Sequence, residues 1–180
     1  MRQHPVRLVA CAAALVAVAL IVLFATRPSA KDVLAQSPLL GKKAPLVAGP
    51  AIAGGHVDLR QYRGRYVLLN FSASWCTPCQ VEAPQLIQFT DDHAHSHDAT
   101  VLGVVFSDTA GNALSFARSN GVKWRIVADP SGRIALEYGV ADPPESFLIS
   151  PNGRVLAEIV GGVTSSGLEN LLRNAGARTT

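Results

Sequence analysis

The feature that most constrains the fold of this chain is a largely apolar run that passes directly into a helix-like segment. Residues 66–74, YVLLNFSAS, have the apolar character that a strand buried on both faces shows. Residues 76–92 follow at once and predict a helix, with Val81, Leu86 and Phe89 roughly on one face. A strand of this kind needs cover on both faces, so the pair favours a sheet packed between helices.

The rest of the chain repeats this alternation of strands and helices. Strands are predicted at 100–107, 124–129, 146–150 and 154–160, and helices at 112–121, 132–139 and 165–176. The sequence Pro151-Asn152-Gly153 joins the last two strands as a hairpin turn. Ser165 or Ser166 is expected to cap the last helix. This order predicts an α/β domain of three layers with a mixed central sheet.

The N-terminal part of the chain predicts a membrane anchor. Residues 8–25 are 18 consecutive apolar residues, which is near the lower limit for a helix that spans a bilayer. Arg2 and Arg7 precede this run, as in a signal or signal-anchor segment. The alternative is a cleaved signal peptide with residues 33–35, VLA, as the cleavage site, and this would make the domain a secreted one.

The chain of 180 residues therefore divides into three predicted parts. Residues 1–27 are the signal-anchor or transmembrane segment. Residues 28–45 contain proline and glycine without sustained periodicity and are expected to form a flexible linker. Residues 46–180 hold the α/β domain. We expect the anchor to place this domain on the extracytoplasmic side of the membrane.

The distribution of charge argues against nucleic acid as a partner. The formal net charge is +3, but residues 1–45 hold six Lys/Arg and one acid, whereas residues 46–180 hold ten Lys/Arg and twelve acids. The basic character therefore belongs to the leader and linker. A basic patch with interleaved aromatic residues is typical of nucleic-acid binding, and the sequence shows no such patch.

Two cysteines, Cys76 and Cys79, stand at the start of the predicted helix, and the chain has one other cysteine, Cys11. A structural disulfide across so short a loop removes little entropy from the unfolded chain, so it would stabilise the fold weakly. A zinc site needs about four ligands, and the chain has no second pair of cysteines with this spacing.

A histidine cluster offers the other potential metal ligands. His93, His95 and His97 follow the same predicted helix. Because that helix rises about 1.5 Å per residue, they are expected roughly 20 Å or more from Cys79. Shared ligation is therefore disfavoured, and we expect the three histidines to lie in a solvated loop. A metal-binding or metallochaperone module that uses them with the cysteines stays the alternative from another functional class.

The position of the cysteine pair favours redox chemistry. Cys76 falls near a helix N-terminus, where unpaired N–H groups and the helix dipole stabilise a thiolate. Pro78 suits a first helical turn because its missing N–H needs no partner there. Cys79 lies one turn into the helix and is expected to be the more shielded, resolving thiol. The pattern predicts a pair that cycles between dithiol and disulfide.

The segment 70–84, NFSASWCTPCQVEAP, resembles the active-site segment of proteins with the thioredoxin fold, and the resemblance extends over about 46–172. It is most similar to the TlpA/ResA/DsbE (CcmG-like) branch of thiol–disulfide oxidoreductases. Four features carry this similarity: the lead-in GHVDLRQYRGRYVLLNF, Glu82 three residues after Cys79, the segment 100–129, and the stretch GVADPPESFLISPNGRV. The resemblance implies a thioredoxin-like fold with an N-terminal strand extension and a central strand–helix insertion.

The resemblance also implies the roles of the predicted catalytic residues. Cys76 is the attacking thiol and Cys79 the resolving thiol. Pro144 matches the cis-proline that packs beside the pair and exposes backbone edges to an extended substrate. The buried aspartate of thioredoxins is replaced by Asn70, which cannot titrate, so the acid–base role falls to Glu82 on the helix.

Three further residues are expected to contact the substrate. Trp75 precedes the pair, as in most of the superfamily, and is expected on the substrate-facing surface. Thr77 and Pro78 lie between the cysteines. The position at which thioredoxins usually carry tryptophan is Ser72, so the substrate face is expected to be less aromatic.

The predicted function is that of an extracytoplasmic, membrane-tethered thiol–disulfide oxidoreductase without metal or cofactor. Its expected partners are protein thiol and disulfide substrates, apocytochrome c among them, and a membrane redox partner that recycles the pair. Reduction is the leading direction, and disulfide donation to exported proteins is the alternative, because direction depends on the reduction potential relative to the partner. A peroxidase of the peroxiredoxin kind is disfavoured, since the Pro and Thr/Ser that precede its reactive cysteine are missing at matching spacing.

Overall fold

A five-stranded mixed sheet forms the centre of the structure, a computed structural model that describes residues 37–176. The strands are β1 (Ala48–Pro50), β2 (His56–Asp58), β3 (Tyr66–Ser72), β4 (Ala99–Phe106), β5 (Ile126–Asp129), β6 (Glu145–Ile149) and β7 (Val155–Val160). The helices are α1 (Thr77–Asp92), α2 (Ala110–Ser119), α3 (Arg133–Tyr138) and α4 (Ser165–Asn174). A single 3-10 turn, Leu59–Tyr62, leads from β2 towards β3.

The order of strands in the central sheet is β5-β4-β3-β6-β7. Strand β3 pairs in parallel with β4, and β4 in parallel with β5. Strands β6 and β7 close the other edge as an antiparallel hairpin, with β6 paired to β3. The mixed sheet predicted from the sequence is therefore confirmed, and β3, the strand that leads to the cysteines, is its central strand.

The alternation of side chains along β3 divides the core into two layers. Val67, Leu69 and Phe71 face a cluster that includes α3 and the small β1–β2 sheet. Leu68 faces the opposite cluster, which contains apolar side chains of α1 and α4. Asn70 shares the Leu68 face because it lies two residues further along the strand. The sheet thus lies between two covered faces, which confirms the predicted three layers.

Local capping explains where the helices begin. Thr109 and Thr164 lie just before α2 and α4, and each hydroxyl accepts a hydrogen bond from the N–H three residues later. The prediction of Ser165 or Ser166 as the cap of the last helix was wrong by one or two residues. Thr164 takes the role because its backbone is still extended, whereas Ser165 is already helical.

The described part of the predicted linker is attached to the domain. The N–H of Gly41 donates to the carbonyl of Val155, and the N–H of Ala44 donates to that of Gly153. Residues 37–45 therefore pack along the β6–β7 hairpin, and this part of the 28–45 segment is not a free linker. Backbone N–H and C=O groups of residues 41–44 pair with the backbone of the hairpin. Side-chain periodicity does not reveal such pairing, so the sequence did not predict this attachment.

The predicted membrane segment, residues 1–27, lies outside the described residues. Between residues 37 and 176, none of the helices combines the length and the apolar character that crossing a bilayer requires.

Candidate active site

The predicted cysteine pair forms a disulfide at the start of α1. The Cys76 and Cys79 sulfurs are bonded at 2.08 Å, and their Cα atoms are 5.3 Å apart. Both residues are 3% exposed, and Ala73 packs against them. Cys79 is therefore not the more shielded of the two in this oxidised state, because the loop that follows α3 covers Cys76 as well.

Cys76 is also the N-cap residue of α1. Its backbone is extended, and its sulfur accepts a hydrogen bond from the Cys79 N–H at 3.1 Å. Pro78 lies in the first helical turn, as predicted. A thiolate at this sulfur would gain from the unpaired N–H groups of the helix end and from the helix dipole.

The loop before β6 lies directly against the disulfide. The peptide bond between Pro143 and Pro144 is cis, at the position that the resemblance implies. The Cys76 sulfur lies 3.4 Å from the Pro143 carbonyl oxygen. Pro144 itself is buried, whereas Pro143 is half-buried. The structure thus brings Cys76 and Pro144 together although they are far apart in the chain.

Glu82 lies one helical turn beyond Cys79 and is 3% exposed. Its two carboxyl oxygens accept hydrogen bonds from the Asn70 side chain at 3.2 Å and from the Val163 N–H at 3.1 Å. Burial raises the pKa of Glu82 to about 7, although these two hydrogen bonds act to lower it. Asn70 also donates to Ser146, so its orientation is set from both sides.

A small cavity borders both Glu82 and Cys79. Asn70, Cys79 and Glu82 all line it, together with apolar side chains of α2 and β5. Its volume is about 20 Å³. A cavity of this size, with several polar groups in its wall, has room for about one water molecule. The Cys79 sulfur and the Glu82 carboxyl therefore belong to residues that border the same small space.

Three of the four predicted substrate-contacting residues, Trp75, Thr77 and Pro78, form an exposed rim beside the disulfide, whereas Pro144 is buried. Trp75 is 57% exposed, and its indole N–H donates to the Ser107 carbonyl at 2.9 Å, which holds the ring in place. Thr77 and Pro78 are exposed. The nearly buried disulfide therefore has exposed side chains directly beside it in the chain.

A second buried carboxyl group lies beside the site and was missed in the sequence. Glu145 directly follows the cis peptide bond and is 4% exposed. Burial and the facing carboxyl of Glu158 raise the pKa of Glu145 to about 7. The only hint in the sequence is that Glu145 and Glu158 sit in otherwise apolar strands, and their meeting across the hairpin depends on its register.

The histidine cluster was predicted to be a solvated loop, and this is wrong for His93. His93 is 7% exposed, and its two ring nitrogens bond Asp98 at 2.7 Å and Glu169 at 2.9 Å. His95 and His97 are exposed. Glu169 lies in α4, so His93 joins two helices at the end of α1 away from the cysteines. In residues 37–176 no group of three or more His, Cys, Asp or Glu side chains is arranged to hold a metal ion.

Comparison with known proteins decides the family. Residues 40–158 match the AhpC/TSA family. This chain belongs to that family. Within it, the curated relatives are thiol–disulfide exchange proteins of the branch that the sequence resembles.

Three relatives show how far the similarity extends. The chain is 38% identical over 131 residues to the thiol:disulfide interchange protein HelX of Rhodobacter capsulatus, covering 70% of each chain. It is 39% identical over 129 residues to the DsbE homolog of Paracoccus denitrificans, covering 69% of this chain and 68% of that one. It is 30% identical over 134 residues to the thiol-disulfide oxidoreductase ResA of Bacillus thuringiensis, covering 74% and 77%.

The solved structures agree with the fold. A protein from Chlorobium tepidum, assigned as the thiol:disulfide interchange protein DsbE, superposes with a TM-score of 0.69 at 33% identity, over 76% of this chain and 96% of that one. The chain is accordingly a thiol–disulfide oxidoreductase with a thioredoxin-like fold and a Cys76–Cys79 pair.

Proposed function

We propose that this protein reduces disulfide bonds of exported proteins from the extracytoplasmic face of a membrane. The observation that carries the direction is the acidic surroundings of the cysteine pair. Three carboxyl groups lie on the segments next to it: Glu82 in α1, Glu145 after the cis-proline, and Asp108, which accepts a hydrogen bond from the Ser74 N–H. Within residues 37–176, no Lys or Arg donates a hydrogen bond to any of the three.

A carboxylate disfavours a nearby thiolate. Glu82 and Glu145, whose pKa burial raises to about 7, exert this effect increasingly as pH rises through 7, where they lose their protons. They then destabilise the reduced form and make the couple more reducing.

The reaction begins with the dithiol form. The Cys76 thiolate attacks one sulfur of the substrate disulfide, that S–S bond breaks, and the leaving sulfur departs as a thiolate that takes up a proton. A mixed disulfide between Cys76 and the substrate results. In this step the cap position of Cys76 supplies N–H donors to the attacking sulfur.

The second step releases the substrate. Cys79 loses its proton to Glu82, through the cavity that both residues line, and its thiolate attacks the Cys76 sulfur. The mixed disulfide breaks, and the second substrate sulfur leaves as a thiolate that takes up a proton from water. The substrate has gained two electrons, and the enzyme is left with the Cys76–Cys79 disulfide seen in the structure. A pKa of about 7 suits Glu82 to accept and return a proton near neutral pH.

The rim beside the disulfide is the proposed substrate surface. Trp75, Thr77 and Pro78 offer exposed side chains, and the loop at Pro144 offers backbone edges to an extended polypeptide. Support comes from the exposure of Trp75 and from the contact between the Pro143 carbonyl and Cys76. A substrate strand held here would bring its own disulfide to Cys76.

The proposed location and partners follow the branch that the chain resembles. Residues 1–27 anchor the chain, 28–36 connect the anchor to the domain, and the domain faces the extracytoplasmic side. The substrates are protein disulfides, apocytochrome c among them, and a membrane redox partner returns the pair to its reduced form. The relatives named as interchange proteins support the reaction class.

The proposed mechanism is tested by trapping the mixed disulfide. In full chains carrying Cys11→Ser, which removes the third thiol, Cys79→Ser should accumulate a disulfide with a peptide that contains two bonded cysteines. Cys76→Ser should form none, because the attacking sulfur is absent. Mass spectrometry of the non-reduced complex identifies the bonded cysteine. Full catalytic turnover by Cys79→Ser would rule out the two-cysteine mechanism.

A further inference from the structure

Five exposed cations meet at one corner of the domain, on the side away from the disulfide. Lys43, Arg60 and Arg63 line one cavity, Lys43 pairs with Arg154 through the backbone, and Lys42 adjoins them. We call these five residues the basic corner. They come from three separate segments of the chain, which the fold brings together at the β6–β7 turn and the start of β3.

The cavity at the basic corner is apolar inside. Its volume is about 170 Å³, and its walls include Leu46, Leu59 and Ile149. Leu46 is 49% exposed, so the apolar surface continues to the outside of the domain. Cations beside exposed apolar surface match the boundary between lipid headgroups and acyl chains, where charged and apolar groups lie close together.

The charge of the corner contrasts with that of the rest of the domain. Residues 37–176 contain eleven Lys/Arg and twelve Asp/Glu. The corner holds five of these cations and one acid, Asp58, whose carboxylate is paired with Arg60. The remaining surface and interior therefore hold six cations against eleven acids. Such a division gives the domain a positive and a negative side, which orients it in an electric field near a charged surface.

The point at which the chain enters the domain lies at the same corner. Residues 41–44 hydrogen-bond to the β6–β7 hairpin, next to the cations of the corner. Eleven residues, 26–36, separate the predicted apolar span from Ser37. Even fully extended, they reach about 40 Å. On the proposed tether, the basic corner is therefore the part of the domain at which the chain arrives from the membrane, and it lies within reach of the lipid surface.

We propose that the basic corner docks on the anionic lipid surface of the membrane that holds the N-terminal segment. This inference rests on the proposed membrane location. Docking turns the redox site away from the bilayer, because β3 has the corner at its start and the cysteines after its end. Seven residues of strand separate the two by about 20 Å or more.

The test uses the lysines of the corner as probes in the full chain. The protein is reconstituted into vesicles of phosphatidylcholine alone or with phosphatidylglycerol added, and amine labelling is followed by mass spectrometry. Docking should slow labelling of Lys42 and Lys43 in the anionic vesicles, and added salt should restore it. Lys123, which lies outside the corner in an ion pair with Asp91, should label at the same rate in both.

A matched pair of double variants distinguishes an effect of the basic corner from an effect of the total charge of the domain. Each cation near an anionic surface contributes about a factor of five to binding, so Arg63→Gln with Arg154→Gln should weaken docking about 25-fold. Arg118→Gln with Arg133→Gln removes the same charge elsewhere and should leave the lysine protection unchanged. Equal labelling in the two vesicle types, or equal loss of protection in both variants, would overturn the proposal.

Two further measurements distinguish a failure of this inference from a failure of the proposed function. Disulfide reduction is assayed on the same vesicles, so a redox failure is seen independently of lipid contact. Sedimentation with phosphatidylcholine vesicles reports the anchor. If the chain does not sediment with them, sedimentation with anionic vesicles alone supports the docking surface, and sedimentation with neither contradicts it.

Discussion

Helix α1 buries a titratable side chain near each of its ends, and the two are stabilised in opposite ways. Near the cysteines, Glu82 is surrounded by neutral donors, and burial raises its pKa to about 7, which favours the neutral carboxyl. At the far end, burial lowers the pKa of His93, but hydrogen bonds to Asp98 and Glu169 outweigh it and raise the pKa overall. That environment favours the charged imidazolium.

The difference predicts which of the two groups serves chemistry and which serves the fold. A carboxyl whose pKa lies near neutrality exchanges its proton readily, which suits a residue beside a reacting thiol. An imidazolium held between two carboxylates keeps its proton to higher pH than a free one, and it joins α1, α4 and the loop after α1. We therefore expect changes at Glu82 to alter reactivity, and changes at His93 to alter stability.

The largest expected effect on stability comes from removing His93, which bonds both Asp98 and Glu169. Replacing His93 with alanine leaves the carboxylates of Asp98 and Glu169 facing each other without the cation between them. Because both are partly exposed, we expect the free energy of unfolding to fall by about 2–3 kcal/mol, the lower side of the range for broken buried pairs. Denaturant unfolding measures this change. The exposed His95→Ala should change it by less than about 0.5 kcal/mol.

The folded state of His93→Ala should exchange disulfides at the unaltered rate. A large loss of exchange in a chain that is still folded would break the division between the two ends of α1, since it would give His93 a part in the chemistry. His93 lies about 20 Å from Cys79 along one continuous helix, so no direct effect is expected.

The free energy of unfolding should show the titration of Glu82 and that of His93 in different ranges of pH. The folded-state pKa of Glu82 lies above its unfolded value of 4.5, so the folded state retains a proton that the unfolded state has lost. Stability should then fall as pH rises from about 4.5 to 7, by at most about 3 kcal/mol. Glu145 acts in the same direction in the same window.

The contribution of His93 follows at higher pH. Its pKa is raised in the folded state, so its stabilising effect is complete below the unfolded value of 6.5 and is lost as pH rises through the folded value. The free energy of unfolding should change less with pH below pH 7 in Glu82→Gln, and less with pH above pH 7 in His93→Ala. If Glu82→Gln left the lower window unchanged, the raised pKa of Glu82 would be wrong.

A smaller effect is expected on the rate of exchange. Glu82→Gln keeps the size of the side chain but cannot accept the proton of Cys79. Release of substrate from the mixed disulfide should slow about tenfold near pH 7, a modest loss for general base catalysis because hydroxide and buffer bases can substitute. Stopped-flow measurement of single turnovers isolates this step. Attack by Cys76 on the substrate should be little changed, which serves as the internal control.

The sequence predicts those features of the fold and of the site that depend on the local spacing of residues. The apolar run into β3, the two cysteines at the start of α1 and the one-turn spacing of Cys79 and Glu82 are all contained in 66–92. Periodicity and cap chemistry act over these distances, so the order of the elements and the three layers could be predicted. The structure confirms both.

The parts that could not be predicted depend on contacts between distant segments. His93 is buried because Glu169, 76 residues later, bonds its ring. Glu145 and Glu158 meet through the register of a hairpin, and the basic corner joins Lys43 to Arg154. In the sequence these residues look like ordinary solvated charges, because burial and partners are set only when the sheet and helices pack.

The reduction potential of the Cys76–Cys79 couple tests the central claim most directly. It is measured on the full chain carrying Cys11→Ser, by equilibration with thiol–disulfide buffers at neutral pH. Because the carboxyl groups around the pair disfavour the thiolate, we predict a value below about −180 mV, the potential of protein disulfide isomerase. A value near −120 mV, about that of strong protein oxidants, would contradict the account and assign the protein to disulfide donation.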